Sequence, residues 1–175
     1  MTSAETLRLE RLFDDYGQRI YAFCLRLCGD PTLAEDLAAE VFLDAPRSLD
    51  RFRGEASEQT LLYKIALNKH RMARRSHAQF LRWAALSFRQ DRQDSPESSI
   101  VFEAAFAREM DRLSPKIKEA FLLVKAEKLS YAEAAAAMDV PVGTVRSRVH
   151  EACKRLSERL DSPTSIPLTE ATHEV

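Results

Sequence analysis

Apolar residues recur along this chain at helical spacing, with no sustained alternation of the kind a strand shows. Leu9, Leu12, Phe13, Tyr16, Ile20, Phe23, Cys24 and Leu27 fall on one stripe, and Gly29 closes the run. Asp30 before Pro31 opens a second helix, because a short acceptor side chain caps free amides and proline lacks a donor that the first turn would waste. Thr32 and Glu35 offer an overlapping capping box. The apolar positions of this helix are Leu33, Ala34, Leu37, Ala38, Val41 and Phe42. Pro46 predicts its end near Asp44, since proline disfavours helical backbone in the residue before it. Leu49 to Ser57 reads as a loop around Gly54, and Ser57 can cap a third helix with Leu61, Leu62, Ile65, Ala66, Leu67 and Met72 inward.

From Arg89 to Ser99 the chain is polar and carries Pro96, which predicts a linker. Val101, Phe102, Ala105, Phe106, Met110 and Leu113 mark a fourth helix. Ser114 and Pro115 start a fifth, with Ile117, Ala120, Phe121 and Val124 on its face. Ser130 with Glu133 is a capping box for a short sixth helix carrying Tyr131, Ala134, Ala135 and Met138. Asp139 tolerates the left-handed conformation that ends helices, and Pro141 suits the start of the next, so the break is about three residues. Val142, Val145, Val149, Ala152, Cys153, Leu156 and Leu160 form the packing face of a seventh helix. Its opposite face carries Gly143, Ser147, His150, Glu151 and Lys154, flanked by Thr144, Arg146, Arg148 and Arg155. Hydroxyl, imidazole and guanidinium groups on one ridge suit a helix lying in a major groove. An amphipathic hairpin with a solvated basic face fits the same pattern. The tail from Asp161 has two prolines and little hydrophobicity, which predicts disorder.

Composition narrows the class. A chain of 175 residues allows one ordinary domain or two small ones, and only four glycines argue against a turn-rich β architecture, which leaves helix as the default. No apolar run is long enough to span a membrane, and the first residues lack a signal-peptide order, so a cytoplasmic protein is expected. The net charge of −1 conceals segregation: residues 1–60 carry −5, whereas residues 61–92 carry +7. A local basic cluster is what phosphate binding requires, because charges beyond about 10 Å are screened. Lys69, Arg71, Arg74 and Arg75 lie at its centre. Glu35, Asp36, Glu40 and Asp44 make an acidic ridge on the second helix. Cys24 and Cys28 share a helical face without a nearby histidine, which predicts core thiols rather than a metal site. His70, His77, His150 and His173 are scattered. No phosphate-cradling glycine loop or nucleophile elbow is present, so no catalytic residue, metal or cofactor is expected.

The run LSYAEAAAAMDVPVGTVRSRVHEACKRL resembles the helix-turn-helix of bacterial sigma factors of the extracytoplasmic-function (ECF) group, most specifically in VPVGTVRSR. The resemblance implies −35 promoter recognition through Thr144, Arg146, Ser147, Arg148, His150, Glu151 and Lys154. Glu151 stands where an arginine is common. DPTLAEDLAAEVFLDAPRSLDRFRGEASEQTLLYKIALNKHRMARR is similar to the sigma domain that binds polymerase and opens the −10 element. It implies polymerase docking through Glu35, Asp36, Leu37, Glu40 and Phe42. It also implies −10 contacts from Arg51, Phe52, Arg53, Gly54, Ser57, Tyr63, Lys64, Asn68, Lys69, Arg71, Arg74 and Arg75. Ala39, Pro46, Glu58 and Leu61 depart from the pattern.

The reading is thus an all-α protein of two small helical domains on a flexible linker. A polymerase and −10 domain spans 1–88, a linker 89–99, a −35 helix-turn-helix domain 100–160 and a tail 161–175. It is expected to act without enzymatic chemistry of its own, with polymerase core, promoter DNA and an anti-sigma factor as partners. A dimeric helix-turn-helix regulator and a sigma-like decoy for an anti-sigma protein are the alternatives.

Overall fold

A computed structural model describes residues 3–51, 57–84 and 101–160, and every regular element among them is helical. The expected linker and tail lie outside these residues. Helix α1 (Ser3–Cys28) buries Leu12, Ile20, Phe23, Cys24 and Leu27. It ends where Gly29, at φ +73°, donates its amide to the Leu25 carbonyl at 2.8 Å. In helix α2 (Pro31–Arg51) the start is set by Asp30, whose Oδ1 accepts the Leu33 amide at 2.9 Å.

Helix α2 does not stop near Asp44. It runs through Pro46 to Arg51, consuming the start of the expected loop. Proline removes one amide donor and leaves the Phe42 carbonyl without its helical partner. Burial of Ala45 and Leu49 on either side holds the helix together across that gap. Helix α3 (Glu58–Ala84) opens on Ser57, whose Oγ accepts the Thr60 amide at 3.1 Å.

Helix α4 (Val101–Arg112) leads to Ser114, which caps helix α5 (Pro115–Phe121) through its carbonyl rather than its hydroxyl. The chain then widens into a π-helical turn at Leu122–Ala126. The Glu127 amide closes it on the Leu122 carbonyl at 2.9 Å, and Lys128 follows at φ 62°. Helices α6 (Tyr131–Met138) and α7 (Val142–Leu160) complete the described chain.

Helix α1 packs on α2 and α2 on α3, while α7 packs on α4, α5 and α6. The two groups also touch: α3 lies against α6, and one continuous apolar core runs from Leu12, Phe23 and Leu62 to Leu123, Met138 and Val149. Four residues expected inward face solvent instead. Phe13 is 60% exposed, Met72 61%, and Leu33 and Val142 37% each. Among the described residues no helix is long and apolar enough to cross a membrane.

Candidate nucleic-acid interface

The hairpin of α6 and α7 is built from local chemistry. Ser130 Oγ accepts the Glu133 amide at 3.2 Å, and the Ser130 amide donates to Glu133 Oε2 at 2.9 Å. The Ser130 hydroxyl, donating to the same Oε2 at 2.7 Å, and then the Ser130 amide hold the Glu133 carboxyl below its usual range. Asp139, at φ 58° and ψ 53°, ends α6, and the Val140 amide turns back to Ala135 at 3.1 Å. Val145, Val149, Ala152 and Leu156 then face the core. With that face committed, Arg146, Ser147, His150 and Lys154 are exposed together, and Thr144, Arg148 and Glu151 lie half-buried beside them.

Two contacts shape this ridge. The Arg146 guanidinium lies 5.7 Å from the centre of the Tyr131 ring, a cation–π distance that restrains a long side chain. Glu151 accepts a bond from Arg155 Nε at 2.6 Å, so its negative charge on the ridge is answered one turn away. Ser147 donates to the Thr144 carbonyl at 3.0 Å, keeping its lone pairs outward.

A second basic surface lies on α3, where Lys64, Asn68, Arg71 and Arg75 recur at i, i+4, i+7 and i+11 and so share a stripe. Asn68, Arg74 and Arg75 are exposed. Lys69 faces the other way, to Asp44 at 2.7 Å and Glu40 at 3.2 Å. Its hydrogen bond to Asp44 raises its pKa. Arg71 is bound by Glu119 of α5, with Nη2 at 2.7 Å and Nε at 3.3 Å from both oxygens.

Tyr63, expected on the DNA surface, is in the core. Its ring meets Phe23 edge-on with centroids 4.9 Å apart, and its hydroxyl donates to Glu127 Oε2 at 2.6 Å. Burial first, and Glu127 second, raise the pKa of that phenol. Leu61 is a core residue, and Glu58 pairs with Arg11 at 2.7 Å. Ser57 is exposed and used as a cap. Arg51 ends α2, while Phe52, Arg53 and Gly54 lie outside the described residues.

On α2, Glu35, Asp36 and Glu40 are exposed as the charge pattern predicts, but Leu37 and Phe42 are buried. The exposed apolar groups here are Phe13 and Leu43, 60% and 65% accessible, beside Leu9, Ala39 and the acids Glu10 and Asp14 in a shallow groove between α1 and α2. Sequence reasoning missed that groove, because periodicity assigns Phe13 inward. It also missed Glu119 and Glu127. Glu119 lies at helical spacing from Leu122 and Leu123, and that inward placement was the available signal.

Comparison with known proteins covers both basic surfaces. Residues 12–80 match the family model for sigma-70 region 2, and residues 103–156 that for sigma-70 region 4. The chain is 32% identical to the RNA polymerase sigma-H factor of Pseudomonas aeruginosa, covering 86% of this chain and 87% of that one. It is 31% identical to the ECF sigma factor EcfG of Rhodopseudomonas palustris, covering 79% and 77%. It is 32% identical to the ECF sigma-E factor of Escherichia coli, covering 71% and 72%. Among solved structures it is similar to the sigma factor RpoE of Bartonella quintana, in complex with the anti-sigma factor NepR, with TM-score 0.73 and 25% identity over 88% and 97% of the two chains. CnrH in complex with the cytosolic domain of CnrY shares the fold at TM-score 0.65 and 23% identity, over 89% of each chain. With both sigma-70 regions in the family's order and relatives that align across both, the chain belongs to the ECF RNA polymerase sigma factors.

Proposed function

We propose that the two helical groups divide the work of initiation between two promoter elements. Helix α7 enters the −35 major groove with Arg146, Ser147 and His150 toward base edges and Thr144, Arg148, Glu151 and Lys154 around them. Arg51, Phe52, Arg53, Gly54, Ser57 and the Lys64–Arg75 stripe of α3 handle the −10 strand. Glu35, Asp36 and Glu40 dock on a basic surface of polymerase core, with Phe13 and Leu43 supplying the apolar contact that buried Leu37 and Phe42 cannot. Residues 1–88 and 100–160 act as the two units, with 89–99 between them, and the protein works in the cytoplasm, where polymerase meets the chromosome. The sigma factor solved in complex with the anti-sigma factor NepR supports an anti-sigma partner for this chain too.

The observation that carries the −35 assignment is the exposed ridge of α7, opposite a face on which Val145, Val149, Ala152 and Leu156 are buried. Polymerase core reconstituted with this chain should produce transcripts from the chain's own upstream region, and Arg146→Ala should reduce them. A base contact of this kind is worth about 1–3 kcal/mol, so a loss of about tenfold is expected. Full activity in Arg146→Ala, or no transcript in the presence of core, would overturn the reading.

A further inference from the structure

Between Thr144 and Lys154 helix α7 carries a single acid, Glu151, beside Arg146, Arg148, His150 and Lys154. A carboxylate facing a polyanion repels it, and phosphate contact gives no reason for one on this ridge. The structure supplies the compensation. Arg155, one turn further along, donates Nε to Glu151 Oε1 at 2.6 Å, with the two side chains 45% and 39% exposed. That bond uses Oε1 and leaves Oε2 for another donor, because an ionised carboxylate accepts about four hydrogen bonds. Glu151 follows His150 directly and lies one turn, about 6 Å, beyond Ser147 along the axis. Stacked base pairs are about 3.4 Å apart, so Glu151 meets the groove about two base pairs beyond Ser147.

A carboxylate only accepts hydrogen bonds, which narrows what it can read. In the major groove guanine offers two acceptors and thymine an acceptor and a methyl group, so the donors are the cytosine N4 and adenine N6 amino groups. The adenine amino is flanked by acceptors on both sides, its own N7 and the paired thymine O4. The cytosine amino meets an acceptor, the paired guanine O6, on one side only. We infer that Glu151 is a specificity-determining residue that selects a C·G pair within the −35 element, cytosine on the strand facing α7, and that Arg155 is its positioning residue. The inference rests on the proposed −35 role of α7. Arg155 holds the carboxylate on the ridge and answers its charge, so the base is read without net repulsion of the phosphates.

Polymerase core reconstituted with this chain, transcribing barcoded copies of the chain's own upstream region with the −35 segment randomised, reads the preference base by base. The wild type should enrich cytosine about tenfold over the other bases at one position. Glu151→Gln keeps the shape, removes the charge and should move that preference to adenine, whose N6 and N7 suit an amide. Glu151→Arg should move it to guanine. The preference set by Arg146 at its own position should stay unchanged in both. Arg155→Gln should lower transcription from every template, and should cost little in a Glu151→Gln background, where no charge is left to answer. A base profile in both Glu151 variants identical to that of the wild type would reduce the pair to a surface contact and overturn the inference. An equal cost of Arg155→Gln in both backgrounds would overturn the role of Arg155. If transcripts appear with no base enriched anywhere in the −35 segment, or Arg146→Ala leaves the profile unchanged, the −35 role of α7 has failed instead.

Discussion

Ser130 illustrates how far single residues reach. Its hydroxyl and amide both bond Glu133, and Ser130→Ala should lower stability by about 1 kcal/mol, read as a fall in Tm. The pH dependence has a definite sign. The Glu133 carboxyl lies below its usual range in the folded state, so its contribution is present above the unfolded pKa and is lost as pH falls through the folded one. Ser130→Ala should flatten that acid limb. His70 behaves differently. It is buried, its Nδ1 has no hydrogen-bond partner, and its pKa is lowered to about 4 by burial first and then by Arg74, Lys118 and Arg71. The unfolded chain therefore binds the proton more readily, and stability falls as pH drops from about 6.5 towards 4. In His70→Leu this component should vanish from thermal unfolding measured against pH, with little loss at neutral pH. The caps were legible in the sequence because they depend on neighbours three residues away. The state of His70 was not, since it depends on burial in the folded chain and on Lys118, which lies far from it in sequence.

At the scale of elements, seven helices were legible from apolar spacing, and the errors concentrate where packing overrules local preference. Pro46 is the clearest. An interior proline costs a helix about 3 kcal/mol, yet α2 continues because Ala45 and Leu49 are buried beyond that cost. Pro46→Ala should restore the missing amide donor. Part of the gain is offset by a more flexible unfolded chain and by the smaller side chain, so a net stabilisation of about 1 kcal/mol is expected, measured by denaturant unfolding. A Tm unchanged or lowered would mean that the ring's packing outweighs the hydrogen bond. The hairpin of α6 and α7 was legible in its cap, its left-handed turn and, Val142 aside, its packing face. The coupling of Arg146 to Tyr131 and of Arg155 to Glu151 needed coordinates for the first. For the second, the i, i+4 spacing had already placed the pair within reach.

For the whole molecule, the junction between the two helical groups decides cooperativity. Glu127 is bonded from α1 and α3, and the apolar core is continuous through that region. The wild type should unfold in one calorimetric transition. Glu127→Ala leaves Tyr63 without its acceptor and should split unfolding into two transitions, because each group retains a core of its own while the bond between them is lost. A single transition in the variant would mean that apolar contact alone couples the halves.

Helix starts, the turn of the hairpin and the exposed ridge of α7 were determined by the sequence alone, because each rests on interactions within one or two turns. Which acids would be buried, that Tyr63 would turn inward while Phe13 turned outward, and that Arg71 would hold Glu119 were decided only by tertiary structure. Those outcomes depend on contacts between residues tens of positions apart, and a one-dimensional pattern of polar and apolar residues does not encode which helix faces meet.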